Sequence, residues 1–298
     1  MTQARLIAGR EVAADLTAEL TAAVARLKQD HGIMPGLATV LIGDDPASRV
    51  YVRSKSRACA AAGIASFEFT KPPDARLSDI LSLVEALNRD ERVDGILVQL
   101  PLPSGLDTRC VIAALDPGKD VDGFHPVNIG RLWGGETSLV PCTPQGCMIL
   151  LRHVLPDIAG ATAVVVGRSH IVGRPLAALL VAADCTVTLV HSKTRDPAAI
   201  CRHADILIAA IGRPQAIGDG WIKPGAIVID VGINRVAEPD GTAHLVGDVD
   251  FGAASRIAAA VTPVPGGVGP MTIACLLRNT VLAACRRRGL PEPLAPIQ

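Results

Sequence analysis

Residues 164–175 read Val164-Val165-Val166-Gly167-Arg168-Ser169-His170-Ile171-Val172-Gly173-Arg174-Pro175. The three valines predict a buried strand, and the glycine-bounded turn leads into an Ala/Leu-rich segment typical of a helix. The amino end of such a helix presents unpaired backbone N–H groups and a partial positive charge to a phosphate. Because the spacing differs from G-x-G-x-x-G, two interpretations stay open here: a dinucleotide site and an ordinary strand–helix turn.

The alternation of strand and helix extends to both sides of this segment. Short aliphatic runs bounded by Gly, Pro and Asp predict strands at 37–42, around Phe67, and at 95–100, 163–166, 186–190, 206–211, 226–231 and 260–261. Apolar residues at helical spacing lie between most of these runs and close the chain at 271–287. The expected fold class is therefore α/β with parallel sheets.

Length and one weakly periodic segment indicate two lobes. The 298 residues exceed the size at which a single core usually stops growing. Residues 101–144 are rich in Pro, Gly and Asp, which is typical of a crossing between domains. We therefore expect a catalytic α/β lobe, a Rossmann-type nucleotide-binding lobe, and a cleft between them.

Composition argues against several classes of partner. Lys plus Arg and Asp plus Glu both total 29, and aromatic residues are only 2%, so binding to nucleic acid is not expected. The amino end lacks a signal sequence and no uninterrupted apolar run reaches spanning length, so we expect no membrane segment and a cytoplasmic location. The eight cysteines show neither Cys-x-x-Cys pairs nor zinc spacing, which predicts reduced core thiols and no metal site.

The tip of the second Rossmann strand indicates which dinucleotide is bound. A carboxylate usually ends this strand when a ribose 2′-hydroxyl is bound, but here His191-Ser192-Lys193-Thr194-Arg195 follows. These hydroxyls and cations, together with Arg168, suit a 2′-phosphate, so NADP is preferred to NAD. The alternative is that the cations are solvated loop charges. Glycines at two later strand ends, in Gly212-Arg213-Pro214 and Gly232-Ile233-Asn234, favour ligand loops.

A candidate catalytic group lies in the first lobe. Tyr51 and Lys55 are four residues apart on a predicted helix, so both side chains share one face. A lysine near apolar surface loses its charge readily enough to move protons. Gln99, at the end of the strand 95–100, is a candidate partner for Lys55 or for the substrate. The alternative for all three is an incidental polar position at the surface.

Two loops complete the candidate site. In Asp120-Val121-Asp122-Gly123-Phe124-His125-Pro126, Asp122 could accept two hydrogen bonds from an amino-pyrimidine ring, with turn chemistry as the alternative. His125 precedes a proline, which favours a structural role. The loop 262–272 contains Pro265-Gly266-Gly267, and its backbone can approach a ligand closely. We expect this loop to form one wall of the cleft.

Five segments in combination resemble the methylenetetrahydrofolate dehydrogenase/cyclohydrolase family. They are Tyr51-Val52-Arg53-Ser54-Lys55, Val98-Gln99-Leu100-Pro101-Leu102-Pro103, Lys119-Asp120-Val121-Asp122-Gly123, residues 167–175 and residues 265–272. They follow the family's order and span nearly the whole chain. The resemblance implies a catalytic folate-binding lobe of residues 1–142 completed by 273–298, an NADP-binding lobe of 143–272, and a homodimer.

The resemblance also implies the chemistry and the residue roles. Such an enzyme oxidises 5,10-methylenetetrahydrofolate with NADP and hydrolyses the methenyl product to 10-formyltetrahydrofolate, a one-carbon donor for purine biosynthesis. Lys55 is then the proton-transfer residue, Tyr51 contacts the pterin, Gln99 positions Lys55, and Asp122 anchors the pterin. Implied cofactor contacts are Gly167, Arg168, Ser169, Ser192 and Ile233, and further substrate contacts are Pro265, Gly266 and Gly267.

Two other functions stay open from the residues alone. One is a dehydrogenase acting on another small substrate, such as a hydroxy acid or an amino acid, and the other is a non-catalytic module that senses NADP. Asp122 and the loop 265–272 argue against the first, and the second has no need of Tyr51, Lys55 and Gln99. Reduction of NADP by methylenetetrahydrofolate would distinguish the three functions.

Overall fold

The computed structural model describes residues 3–237 and 242–294. Within these residues the strands are β1 (Arg5–Leu6), β2 (Gly36–Ile42), β3 (Ala65–Lys71), β4 (Gly95–Val98), β5 (Thr162–Val166), β6 (Thr186–Val190), β7 (Ile206–Ala209), β8 (Ile227–Asp230), β9 (Asn234–Ala237), β10 (Ala243–Val246) and β11 (Ala260–Val261). The helices are α1 (Gly9–His31), α2 (Pro46–Ala61), α3 (Leu77–Arg89), α4 (Thr108–Ala113), α5 (Pro126–Trp133), α6 (Cys142–Val154), α7 (Gly173–Ala182), α8 (Pro197–Cys201), α9 (Phe251–Ile257) and α10 (Val268–Arg287), with a 3-10 helix at Asp219–Trp221.

The chain divides into two compact units. Of the described residues, the six-stranded unit contains 3–14 and Thr143–Thr272, and the three-stranded unit contains Asp15–Cys142 and 273–294. Helices α1 and α10 each begin in the six-stranded unit and continue in the three-stranded unit. The predicted α/β class in two lobes is confirmed.

The three-stranded unit is built on a parallel sheet in the order β3-β2-β4. The central strand β2 is buried at all seven positions, as expected for a parallel strand covered on both faces. Ile80, Val84 and Leu87 lie on one side of α3 at helical spacing and pack into the core that β2 and β4 share. The carboxyl ends of β2 and β4 therefore lie side by side.

The six-stranded unit is a parallel sheet in the order β1-β11-β8-β7-β5-β6. Strand β5 pairs with β6 on one side and β7 on the other, with Val164 opposite Thr188 and Leu207. The chain therefore leaves β5 in one direction and later returns on its other side. Open α/β sheets bind ligands at the carboxyl ends of the strands that flank such a reversal. Strands β9 and β10 form a separate antiparallel hairpin.

The start of the chain differs from the predicted lobe 1–142. Arg5 and Leu6 form a parallel ladder with Ala260 and Val261, which adds β1 to the edge of the six-stranded sheet. The sequence pattern predicts no strand here. Two residues are too few to show a period, and their partner strand lies more than 200 positions later in the chain.

The chain passes from one unit to the other within the expected segment 101–144, between Cys142 and Thr143, but most of the segment is folded. This segment contains α4 and α5 and belongs to the three-stranded unit up to Cys142. Asp107 caps α4, and Pro126 occupies the first turn of α5, where a missing N–H costs nothing. For the same reason α10 begins at Val268, with Pro270 in its first turn, three residues earlier than predicted.

Helix α10 is long and apolar enough to cross a membrane by length and composition alone. However, 78% of its most apolar window is buried inside the protein, as in the core helix of a globular domain. All eight cysteines are free thiols. Seven are buried as predicted, whereas Cys110 is exposed.

Candidate functional site

Lys55 and Gln99 meet at the carboxyl edge of the three-stranded sheet. Helix α2 starts directly after β2, with Asp45 as its N-cap accepting a hydrogen bond from the Ser48 amide at 2.7 Å. Gln99 follows β4, and its Nε2 donates to the carbonyl of Leu100 at 2.7 Å, which directs Oε1 the other way. The Nζ of Lys55 donates to this Oε1 at 2.9 Å. The two predicted residues are therefore in direct contact.

Tyr51 lies one turn before Lys55 on α2. The tyrosine is 46% exposed, whereas Lys55 and Gln99 are half-buried. A phenol ring exposed to this degree is accessible to a flat ligand that approaches the same helix face.

Asp122 shares the electrostatic environment of Lys55. Burial raises the pKa of the Asp122 carboxyl from 3.8 to about 6. The positive charge of Lys55 opposes this shift, and the Asp120 carboxyl adds to it. At neutral pH the carboxylate is mostly ionised yet poorly solvated, so it is suited to accept charge-assisted hydrogen bonds.

Two residues that the sequence analysis missed hold the backbone beside Asp122. Asn279 of α10 is fully buried, and its Nδ2 donates to the carbonyls of Val121 and Val140 at 2.8 Å each. The Cys142 thiol donates to the Val121 carbonyl at 3.2 Å. The available signal was a short polar run, Arg278-Asn279-Thr280, between apolar stretches of the helix, because a buried amide must find partners.

The other polar residues of the 119–125 segment have structural partners. Lys119 is 1% exposed, and its Nζ donates to the carbonyls of Leu87 and Asp90 at 3.0 and 2.9 Å, at the carboxyl end of α3. Burial lowers the pKa of the Lys119 amine. Asp120 accepts from the His125 amide at 2.7 Å, and the His125 ring caps α5. These contacts agree with the structural role predicted for His125.

In the six-stranded unit, Gly167 and Gly173 bring three backbone segments together at the strand reversal. Gly167 has φ +124°, and a Cβ there would lie 2.1 Å from the Ala210 carbonyl oxygen. A Cβ at Gly173 would lie 2.3 Å from the Gly167 carbonyl oxygen. Only glycine fits these positions, so the turns after β5 and β7 and the start of α7 form a close backbone cradle.

Ser169 already occupies part of this cradle. Its Oγ accepts hydrogen bonds from the amides of Val172 and Gly173 at 3.1 and 3.3 Å. Two of the amides at the start of α7 are therefore paired, whereas the sequence analysis expected unpaired N–H groups there.

The other predicted cofactor residues lie at the same sheet edge. Arg168 follows β5, and Ser192 lies in the turn after the neighbouring strand β6; both are exposed. That turn is fixed by the His191 amide, which donates to Thr194 Oγ1 at 2.9 Å. Ile233 follows β8 and is 46% exposed. These side chains are accessible to a ligand at the carboxyl ends of the strands.

Residues 265–267 lie in the six-stranded unit, against the start of α1. The Gly266 carbonyl accepts from the Arg10 amide at 3.1 Å. A Cβ at Gly9 would lie only 1.9 Å from the Gly267 carbonyl oxygen. The loop is therefore held by main-chain contacts. Among the described residues, no group of three or more His, Cys, Asp or Glu side chains could hold a metal ion.

Comparisons with known proteins agree on one family. Residues 7–122 match the model of the tetrahydrofolate dehydrogenase/cyclohydrolase catalytic domain, and residues 141–288 match that of the family's NAD(P)-binding domain. The bifunctional protein FolD of Cereibacter sphaeroides is 58% identical over 290 residues, which cover 97% of this chain and 98% of that protein.

Two solved structures are similar over nearly their whole length. The bifunctional FolD methylenetetrahydrofolate dehydrogenase/cyclohydrolase of Campylobacter jejuni has a TM-score of 0.91 and 44% identity, covering 95% of this chain and 99% of that one. The FolD enzyme of Trypanosoma brucei, complexed with NADP and an inhibitor, has a TM-score of 0.92 and 42% identity, covering 97% and 99%.

Proposed function

The chain belongs to the tetrahydrofolate dehydrogenase/cyclohydrolase family, and from this we propose how its residues carry out the two reactions. The enzyme oxidises 5,10-methylenetetrahydrofolate to 5,10-methenyltetrahydrofolate with NADP and hydrolyses that product to 10-formyltetrahydrofolate. The observation that carries the proposal is the 2.9 Å hydrogen bond between Lys55 Nζ and Gln99 Oε1, beside the desolvated carboxyl of Asp122.

Lys55 manages the proton of the hydrolytic step. Water adds to the methenyl carbon, and the bond from that carbon to N5 then opens to leave the formyl group on N10. One proton of the water ends on N5 and the other leaves to solvent. A single amine that accepts the first proton and returns one to N5 serves both events. Gln99 holds Nζ in place through Oε1, and a fixed position lowers the entropic cost of the transfer.

Asp122 and Tyr51 bind the pterin in this proposal. The ionised carboxylate of Asp122 accepts two hydrogen bonds from the amino-pyrimidine edge, as a planar donor pair requires. The exposed ring of Tyr51 lies against the ring system, and residues 265–267 contribute further contacts to the substrate. Binding energy from this end of the molecule orients the reacting carbon.

The six-stranded unit fits NADP. Gly167 and Gly173 let the turns after β5 and β7 and the start of α7 pack closely, as in a dinucleotide-binding turn, and Ser169 stabilises the turn. Arg168 and Ser192 would hold the 2′-phosphate, and Ile233 would contact the cofactor after β8. When bound, NADP supplies the hydride acceptor for the methylene carbon.

We also infer a cytoplasmic homodimer whose product feeds purine biosynthesis. Family membership supports this assembly and location. Light scattering after size-exclusion chromatography should give twice the chain mass of 30.9 kDa. A mass of one chain at micromolar concentration would contradict the dimer.

Replacement of Lys55 by methionine tests the site. Lys55→Met keeps the length of the side chain but removes the amine, so turnover of methenyltetrahydrofolate should fall by at least about 100-fold, the lower end of what a general acid–base group contributes. NADPH binding, followed by its fluorescence, and the melting temperature should stay unchanged. Arg53→Met, on the same helix at an exposed position, is the matched control and should retain activity.

The same assay separates the alternatives. If Lys55→Met hydrolyses methenyltetrahydrofolate at the wild-type rate, Lys55 has no role in proton transfer. If the wild-type chain reduces NADP with a hydroxy acid or an amino acid but not with methylenetetrahydrofolate, the substrate assignment is wrong.

A further inference from the structure

Two buried aspartates lie at the carboxyl edge of the six-stranded sheet. Asp230 ends β8 and is 3% exposed, and Asp248, which follows β10, is fully buried. Neither position was singled out from the sequence. Both carboxyl groups accept several hydrogen bonds from loop backbone, and the pattern of these bonds connects the loops around the strand reversal.

Asp248 organises the loop that follows β7. Its Oδ2 accepts from the amides of Ile211 and Gly212 at 2.6 and 2.9 Å, and its Oδ1 accepts from the amide of Arg213 at 2.9 Å. Three consecutive amides therefore point at one carboxylate. Such a loop cannot change its conformation without breaking hydrogen bonds to a buried anion, which are among the costlier ones to lose.

The same carboxylate reaches the loop after β8. Asn234 donates from Nδ2 to Asp248 Oδ1 at 2.9 Å, and the preceding residue, Ile233, is one of the proposed cofactor contacts. A Cβ at Gly232 would lie 2.3 Å from that same Oδ1. The loops after β7 and β8 are thus tied to one side chain.

Asp230 supports this arrangement from the sheet. Its Oδ1 accepts from the amides of Gly232 and Asp248, and its Oδ2 from the amide of Val249, each at 2.9 Å. Thr262 Oγ1 accepts from the Asp230 amide at 2.7 Å. Asp248 is therefore held in position by a second carboxylate that belongs to the sheet itself.

The loop that Asp248 organises borders the cofactor cradle. It begins at Ala210, whose carbonyl oxygen lies so close to Gly167 that no Cβ would fit between them. The strands on either side of the reversal, β5 and β7, each end one residue before these positions. A shift of the 211–213 loop would therefore change the wall of the site in which a dinucleotide lies.

We propose that Asp248 is a positioning residue for NADP, acting through the 211–213 loop and Asn234 rather than by contact with the cofactor. The inference rests on the proposed function, because it takes the six-stranded unit as the NADP site. A carboxylate whose partners are the loops of a binding site affects affinity for the ligand. Asp248 should not affect the reaction on the folate, which we assign to Lys55, Gln99 and Asp122.

Asp248→Asn is the decisive variant. It keeps the size of the side chain but replaces one acceptor oxygen by an NH₂ group. The NH₂ group cannot accept the hydrogen bonds that the loop amides donate to this oxygen. We expect the KM for NADP in the dehydrogenase reaction to rise at least about tenfold, with kcat at saturating NADP changed by less than roughly threefold. Hydrolysis of methenyltetrahydrofolate without NADP should stay within roughly twofold of wild type.

Two further variants make the test secure. Asp250→Asn is the matched control, because Asp250 lies two residues on and caps α9 by accepting from the Ala253 amide at 3.0 Å, a role that asparagine fills equally well. Its KM for NADP should not change. Asn234→Ala removes one neutral donor and should raise that KM by roughly threefold, and it decides the matter if Asp248→Asn does not fold.

The outcomes are distinct. A folded Asp248→Asn with an unchanged KM for NADP overturns the inference, as does a parallel loss of both activities, which would indicate a general structural role. If the wild-type enzyme itself does not reduce NADP with methylenetetrahydrofolate, the proposed function fails and the inference with it. If the wild-type enzyme turns over normally and Asp248→Asn has the same KM for NADP, only the inference about Asp248 fails and the proposed function stands.

Discussion

Asp122→Asn should make the three-stranded unit more stable while it weakens folate binding. The folded protein raises the pKa of this carboxyl from 3.8 to about 6, mainly through desolvation. The folded state therefore holds the proton more tightly than the unfolded state. The stability that this bound proton contributes is fully present below pH 3.8 and is lost as the pH rises through about 6. At about 1.4 kcal/mol for each pKa unit, ionisation costs about 3 kcal/mol at pH 8. Asparagine avoids this cost.

The two tryptophans allow the effect to be assigned to one unit. Trp133 belongs to α5 of the three-stranded unit, and Trp221 lies in the six-stranded unit. In a Trp221→Phe background, fluorescence reports the three-stranded unit during urea unfolding. The gain from Asp122→Asn should be about 3 kcal/mol at pH 8 and roughly half of that at pH 5. Asp74→Asn, at an exposed position, should change stability by less than about 0.5 kcal/mol at either pH.

This reasoning has a clear point of failure. If Asp122→Asn lowers the unfolding free energy at pH 8, the carboxylate is stabilising in the folded state and the burial argument is wrong. If the gain is equal at pH 8 and pH 5, the effect comes from packing rather than from ionisation.

Three other results are expected. Arg168→Ala and Ser192→Ala should each raise the KM for NADP roughly tenfold and the KM for NAD far less, because charge-assisted contacts to the 2′-phosphate are lost. Steady-state kinetics with both cofactors measure this, and equal increases in the two KM values would refute the assignment. Asn279→Leu should lower the unfolding free energy of the three-stranded unit by about 1–3 kcal/mol, since the Val140 carbonyl loses the amide donor and the Val121 carbonyl keeps only the Cys142 thiol. An unchanged urea midpoint would contradict the assignment. The kcat/KM of the cyclohydrolase reaction should fall about tenfold per pH unit below pH 6, because Asp122 takes up a proton in this range. A kcat/KM that does not change with pH below pH 6 would exclude ionised Asp122 as the pterin anchor.

Local pattern was sufficient to predict the α/β units. The strands β2, β5, β7 and β8 are short, buried aliphatic runs, and the helices between them carry apolar residues at helical spacing. The contact between Lys55 and Gln99 could be predicted because the secondary structure places both residues at one edge of the sheet. Lys55 lies on a helix that starts at the carboxyl edge, and Gln99 follows a strand that ends there.

Features that depend on distant partners could not be predicted in this way. Strand β1 is defined by a ladder with β11, and the short helices α4 and α5 are defined by their caps more than by a period. Asn279 and Asp248 act through hydrogen bonds to main-chain groups. A main-chain carbonyl or amide is the same at every position, so the sequence carries no mark of which one a side chain will meet.

Asp122, which we propose binds the pterin, and Asp248, which we propose positions a loop, differ in the donors that their own protein supplies. Asp248 accepts hydrogen bonds from four N–H donors. At Asp122, desolvation and the Asp120 carboxyl disfavour the ionised form, and the positive charge of Lys55 favours it. Donors from the protein offset part of the cost of burying an anion, although burial still raises the pKa of Asp230 to about 6 beside three amide donors. An anion that awaits donors from a ligand bears the full cost until the ligand arrives. The same substitution should therefore have opposite effects. Asp122→Asn should raise the unfolding free energy of the three-stranded unit. Asparagine at 248 should destabilise the six-stranded unit by about 2–4 kcal/mol, measured by Trp221 fluorescence in a Trp133→Phe background. Changes of the same sign would mean that the number of internal donors does not distinguish the two roles.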